Sequence, residues 1–184
     1  MTYANQLTIL RMILVPLFLG LIAYGFPVAA LAVFVFAGIS DVADGYIARN
    51  WPDQKSELGE VLDPVADKVL LMTSFLALTI QRDVFDLRIP LWLAIAVIGR
   101  DLLLVVAGLI IRLTVGKRRF PPSLLGKRTT FFQLLTVFLV LLSSLTPIHG
   151  LLFLIVCYVT LALTVISGLD YSIRGVRIIK RHET

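Results

Sequence analysis

Four aspartates stand in an otherwise apolar stretch of this sequence: Asp41, Asp44, Asp63 and Asp67. The first two are three residues apart and the last two are four apart. On a helix, either spacing puts both members of a pair on one face, roughly 4.5 to 6 Å apart along the axis. Carboxylates gathered in a small volume repel one another, so either some hold a proton or a cation neutralises them. The donors are oxygen only, with no His or Cys in the set, which favours a hard ion such as Mg2+, Mn2+ or Ca2+ over zinc. Four charges balance two divalent ions. Paired ions about 3.5–4 Å apart are a common way to clamp the oxygens of a phosphoryl displacement. The plainer alternative is a set of helix caps and interface aspartates that face water.

The elements that must hold these residues are long and apolar. Of 184 residues, 58% are hydrophobic and 16% charged, the balance of a membrane protein. The expected fold is all-α, a polytopic bundle of six transmembrane helices in one domain over residues 1–184. Spans are expected near 8–24, 28–48, 60–80, 89–111, 129–145 and 151–171. The first run carries no cleavage pattern and is expected to stay as a span. The first aspartate pair closes the second span and the second pair opens the third. A polar turn from Asn50 to Leu58 makes these two helices antiparallel neighbours. Pro64 is tolerated if it falls in the first turn of its helix. The single cysteine, Cys157, lies in an apolar run and reads as a buried, inert thiol. His149 and His182 have no metal-ligand spacing around them.

Charge sets the orientation. Six spans put both termini on one side, together with the turn after the second span and the 112–128 connection. That side holds twelve Lys and Arg: Arg49 and Lys55, then Arg112, Lys117, Arg118, Arg119, Lys127 and Arg128, then Arg174, Arg177, Lys180 and Arg181. The opposite side holds only Arg82 and Arg88. The positive-inside rule then places the aspartates at the cytoplasmic face of the cell (inner) membrane. A basic balance in such a chain points to anionic lipid as the partner, not to nucleic acid. Near mid-membrane, Arg100 and Asp101 are costly, at roughly 2.5–3.5 kcal/mol each on insertion scales. Neighbours in sequence do not face each other on a helix, so each is expected to find another partner. Arg100 is the candidate to face the site; structural pairing with an aspartate is the alternative. Arg11 either snorkels to the headgroups or points inward.

The arrangement Asp41-x2-Asp44-Gly45-x2-Ala48-Arg49, nine residues, then Gly59-x3-Asp63-x3-Asp67 resembles the signature of the CDP-alcohol phosphatidyltransferase family. All eight positions match, over 27 residues. Leu7-Thr8-x2-Arg11 resembles a further family element. The resemblance implies transfer of a phosphatidyl group from CDP-diacylglycerol to an alcohol, with CMP leaving. It makes the four aspartates ligands of Mg2+ or Mn2+ and Asp67 the general base. The CDP-lipid site would comprise Asp41, Asp44, Gly45, Ala48, Arg49 and Gly59. Gly45 and Ala48 would leave room for cytidine and its sugar, Gly59 would permit close approach at the third helix, and Arg49 would pair with a phosphate. Ordinary helix packing explains such small residues equally well on residue type alone. A homodimer is also implied.

The acceptor is less sharply marked. A phosphorylated alcohol such as glycerol 3-phosphate needs cations, and Arg100, Arg118, Lys127 and Arg128 are the candidates; anionic lipid could equally occupy the basic run. Gly99-Arg100-Asp101 and Gly126-Lys127-Arg128-Thr129-Thr130-x2-Gln133 resemble elements of family members that use glycerol 3-phosphate. The second element departs at Thr129, where those members usually carry lysine. A basic residue one place earlier, at Arg128, falls on a different face. Members that use phosphatidylglycerol carry a related element without that lysine. A reading from another class is a divalent-cation or proton transporter with intramembrane carboxylates. Clustering of the aspartates at one end, not in a ladder across the membrane, argues against it.

Overall fold

The computed structural model describes the backbone of residues 3–50, 57–81, 84–115 and 124–180. It describes side chains in those ranges except at 3–9, 11, 41–50, 57–67, 109–115 and 174–180. Among the described residues there are six helices and no strand: α1 (Tyr3–Ala23), α2 (Pro27–Asn50), α3 (Glu57–Ile80), α4 (Leu91–Val115), α5 (Leu124–Ser143) and α6 (Gly150–Lys180). They fall into two compact units. One comprises residues 1–88 with 137–148, the other 89–136 with 149–184.

In the first unit α1 packs against both α2 and α3. The α1–α2 turn is fixed by Gly25, whose φ of 76° is open to glycine at little cost. Its N–H donates to the Ile22 carbonyl at 3.1 Å, and the Phe26 N–H donates to the Leu21 carbonyl at 2.8 Å. Those two bonds are the Schellman closure of a helix end. Pro27 then opens α2, where its missing N–H costs nothing. Leu14, Val15, Ala37 and Leu70 form one buried cluster across the three helices. The Phe18 and Phe34 rings lie 6.0 Å apart, with Phe18 fully enclosed. The Leu87 N–H donates to Ser143 Oγ at 3.3 Å, which ties the 84–88 segment to the end of α5.

In the second unit α4 packs on α6. Trp92 and Tyr158 stack at 5.4 Å. The first half of α5 is joined to α6 by hydroxyls. Thr129 Oγ1 donates to the Leu163 carbonyl at 3.1 Å, and the Thr136 and Thr160 hydroxyls meet at 3.0 Å.

Among the described residues, three helical stretches are long and apolar enough to cross a membrane: Leu91–Gly108, Leu124–Ser143 and Gly150–Ile173. Only 28–33% of each window is buried within the chain, so apolar side chains such as Leu91, Ile95, Leu151 and Ile155 are left for lipid. The apolar parts of α1, α2 and α3 whose side chains are described are shorter: Met12–Ala23, Pro27–Ser40 and Lys68–Ile80.

Two expectations need correction. α3 begins at Glu57, so Pro64 is its eighth residue and lies beyond the first turn. With no N–H, Pro64 cannot donate to the Glu60 carbonyl, and the helix continues past that missing bond. Lys127 and Arg128, expected at the end of a loop, stand in the first turns of α5. α6 runs unbroken to Lys180, so positions 174, 177 and 180 continue the helix of the last span. The Asn50–Leu58 turn falls mostly on residues 51–56, outside the described residues.

Phe18 offers a test of the first unit's packing. In lipid the cost of truncation comes from lost contacts and the cavity, not from transfer out of water. Phe18→Ala is expected to lower unfolding stability in detergent by about 2 kcal/mol. Ile13→Ala, at a 60% exposed position of the same helix, should change it by less than about 0.5 kcal/mol.

Candidate active site

The acidic positions all fall on helices. α2 carries positions 41, 44, 45, 48 and 49, and α3 carries 59, 63 and 67. At 1.5 Å per residue, Asp41 and Asp44 stand about 9–14 Å from the end of α2, and Asp63 and Asp67 about 9–15 Å from the start of α3. The two pairs thus sit at matching depths from the connection that joins their helices. The side chains of Asp41, Asp44, Gly45, Ala48, Arg49, Gly59, Asp63 and Asp67 lie outside the described residues, and so does the expected convergence of the pairs. Among the described residues no group of three or more His, Cys, Asp or Glu is placed to hold a metal.

The second unit holds a buried charged cluster built on α4 and α6. Arg100 is 7% exposed and Asp101 fully buried. Arg100 Nη1 donates to Asp101 Oδ1 at 2.6 Å. This overturns the expectation that the two must look elsewhere. Helix geometry separates the Cβ directions of adjacent residues, but the long arginine stem lets the guanidinium swing back to its neighbour. Nη2 donates to Ser167 Oγ of α6, also at 2.6 Å. The guanidinium carbon lies 5.8 Å from the Tyr171 ring centroid, within cation–π range. A Cβ at Gly168 would meet Arg100 Cγ at 3.5 Å, ordinary contact, so the arginine stem lies along the α6 surface. Two of the five guanidinium donors are used by Asp101 and Ser167, and the buried Nε has no hydrogen-bond partner. A cation at this depth is neutralised at once by an anion and fixed to a second helix.

On α5 the Gly126–Gln133 element divides by face. Gly126, Thr129 and Gln133 are buried, while Lys127 and Arg128 are exposed. Arg128 therefore lies on a different face from Thr129, as the spacing predicts. Thr129 is fully buried, and its hydroxyl contacts both the Leu125 carbonyl at 2.8 Å and the Leu163 carbonyl. Arg118 and the side chain of Arg11 lie outside the described residues.

Sequence reasoning missed Ser167 and Tyr171 as companions of Arg100, and missed the hydroxyl seam between α5 and α6. The signal was available: Thr160, Thr164 and Ser167 recur at four and three residues, the spacing of one helix face.

A transmembrane all-α chain with paired aspartates closing one helix and opening the next fits an enzyme class that moves phosphate-linked lipid groups. The chain belongs to the CDP-alcohol phosphatidyltransferase family, whose model matches residues 1–166 and so reaches into both units. It is 36% identical over 181 residues to a Mycobacterium tuberculosis (strain H37Rv) protein named probable phosphatidylglycerophosphate synthase, covering 95% of this chain and 81% of that one. It is 31% identical over 183 residues to the Aquifex aeolicus CDP-diacylglycerol–glycerol-3-phosphate 3-phosphatidyltransferase, covering 97% and 98%. Similarity also extends to the cardiolipin synthase (CMP-forming) of Streptomyces coelicolor, 37% over 153 residues, covering 78% and 66%.

The Arg100–Asp101 pair is directly testable. Asp101→Ala strands a buried cation and is expected to cost about 3–5 kcal/mol in unfolding stability. Replacing both, as Arg100→Met with Asp101→Leu, should recover most of that loss, because the desolvation of two charges disappears along with their attraction. Unfolding of the single and double variants in detergent measures the difference.

Proposed function

We propose that this chain transfers the phosphatidyl group of CDP-diacylglycerol to glycerol 3-phosphate, giving phosphatidylglycerophosphate and CMP. The observation that carries the reading is the eight-position acidic signature on α2 and α3. It is joined to end-to-end similarity with a relative named for glycerol 3-phosphate. The acceptor hydroxyl attacks the phosphatidyl phosphorus. A P–O bond forms, the bond to CMP breaks, and CMP leaves with the electron pair. Asp67 takes the hydroxyl proton as general base.

Asp41, Asp44, Asp63 and Asp67 supply an oxygen-only donor set that suits two Mg2+ or Mn2+ ions. Such ions, when bound, neutralise the carboxylates and the charge on the diphosphate. Gly45 and Ala48 leave space for the nucleotide, Gly59 permits close approach at α3, and Arg49 binds a phosphate through its planar fork. Lys127 and Arg128, exposed at the start of α5, meet the acceptor together with Arg118. Arg100 keeps donors beyond those given to Asp101 and Ser167, and serves the same anion. All six helices cross the cell (inner) membrane with the aspartates at the cytoplasmic face, in a homodimer.

Thr129 favours a second reading. It is fully buried and hydrogen-bonded to α6, where members that use glycerol 3-phosphate usually carry lysine. This is the pattern expected of a cardiolipin synthase that takes phosphatidylglycerol as acceptor. The similarity to a protein of that name is in keeping with it.

The deciding experiment is CMP release by purified protein with CDP-diacylglycerol and Mg2+, with either acceptor added separately. Release with glycerol 3-phosphate alone is the expected result; release with phosphatidylglycerol alone establishes the second reading. Asp67→Asn keeps the side-chain size and removes its basicity. It should lower turnover by at least about 100-fold with an unchanged melting profile.

Lys127→Ala should raise the acceptor KM several-fold and leave that of CDP-diacylglycerol near its starting value. An equal rise in both would mark Lys127 as a general surface charge.

A further inference from the structure

One stripe of α6 is left uncovered. Ile166, Leu169 and Ile173 are each half or more exposed, and at about 100° per residue they fall within an arc of about 60°. Leu151 and Ile155, also exposed, share that arc toward the start of the helix. The buried Thr160, Thr164 and Ser167 lie on the opposite side. The helix runs on to Lys180. Positions 177 and 180 follow Ile173 by four and seven residues, so helical geometry keeps them on the exposed stripe, within an arc of about 80° in all. Both are cationic, Arg177 and Lys180. Arg174 falls about 60° outside the stripe. No Asp or Glu occurs between Tyr171 and Lys180.

The stripe is thus apolar along the span and cationic just past its end. Ile166 to Ile173 covers about 10 Å of the axis, most of the roughly 15 Å hydrocarbon depth of one leaflet, and positions 177 and 180 stand about 6 and 10 Å further. A phospholipid has the same profile, with chains beside the apolar part and a phosphate at the level of the cations. A free phosphate makes no use of the apolar part. A second copy of this chain is a poor occupant. Two copies paired about an axis along the membrane normal would bring the stripe against itself, and Arg177 and Lys180 against their own counterparts, cation on cation. A zwitterionic lipid carries its own cation beside its phosphate, whereas an anionic lipid leaves its charge unopposed.

We propose that this stripe of α6 is a binding site for an anionic phospholipid, with an acyl chain along Ile166, Leu169 and Ile173 and the phosphate at Arg177 and Lys180. The site lies on α6 alone, so it requires that this helix cross the membrane and is independent of the acceptor used in catalysis. Arg174 carries the same charge off the stripe, and so separates a seated lipid from diffuse attraction to a basic surface.

The test uses the full-length protein with a photoreactive benzophenone amino acid in place of Ile173, in phosphatidylcholine vesicles holding about one-tenth phosphatidylserine as the anionic lipid. Phosphatidylserine is neither donor nor acceptor in the proposed reaction, so its labelling does not report on the active site. After illumination, mass spectrometry compares the crosslinks to each lipid. Phosphatidylserine should be enriched about 5- to 25-fold over its share, the effect of one or two basic contacts. Arg177→Gln combined with Lys180→Gln should bring the enrichment to about one, while Arg174→Gln should keep it within about two-fold of the wild type. The same photoreactive residue in place of Ile155, about 27 Å away along the stripe, should show no enrichment. Equal labelling of the two lipids at position 173, or enrichment as strong at position 155, overturns the inference, and neither outcome needs a charge variant to fold. A loss as large in Arg174→Gln as in the double variant would mark a diffuse surface charge and overturn it too. Crosslinks at position 173 to a second copy of the chain, in place of lipid, would assign the stripe to self-association and sink the lipid site.

Discussion

Polar groups in these helices have little water to turn to, and most of what is particular about the fold follows from that. A hydroxyl at membrane depth must find an acceptor inside the protein. The commonest solution is the nearest one. Ser40, Thr73, Ser74, Thr79, Thr136, Thr160 and Thr164 each donate to the carbonyl four residues back on their own helix. Where a second helix is close, the same groups reach across, as Thr129 does to Leu163 and Thr160 does to Phe132. The hydroxyl contacts that join α5 to α6 grow out of this local satisfaction.

Charge obeys the same constraint more severely. Arg100 is held by Asp101, Ser167 and the Tyr171 ring together, and every one of those partners lies on α4 or α6. The cluster serves stability by avoiding an isolated ion, and it also fixes the direction of whatever donors the guanidinium has left. A flexible cation would lose orientation entropy on binding an anion; a clamped one has already lost it.

Much of this was legible in the sequence for simple reasons. Long apolar runs broken by Gly25-Phe26-Pro27 and by Pro147 specify helices and their ends, because backbone chemistry in a membrane admits few alternatives. The aspartate spacings also survive translation to structure, since they depend only on helical rise and turn. What escaped depended on side-chain reach and on tertiary partners. The Arg100–Asp101 contact runs against a rule about Cβ directions that a long side chain need not obey. The early start of α3, which carries Pro64 past the first turn, and the inclusion of Lys127 and Arg128 in α5 reflect helices extending through polar residues beyond their apolar runs.

The length of α6 has a mechanical consequence. Its 31 residues span about 46 Å, well beyond the roughly 30 Å thickness of a hydrocarbon core. The surplus is continuous helix, so the segment after Ile173 is a stiff extension of the rod that bears Ser167 and Tyr171. Tilting that rod by its protruding end would move both residues through an arc, as a lever moves its short arm. One continuous helix thus runs from the buried arginine cluster to residues beyond the apolar span.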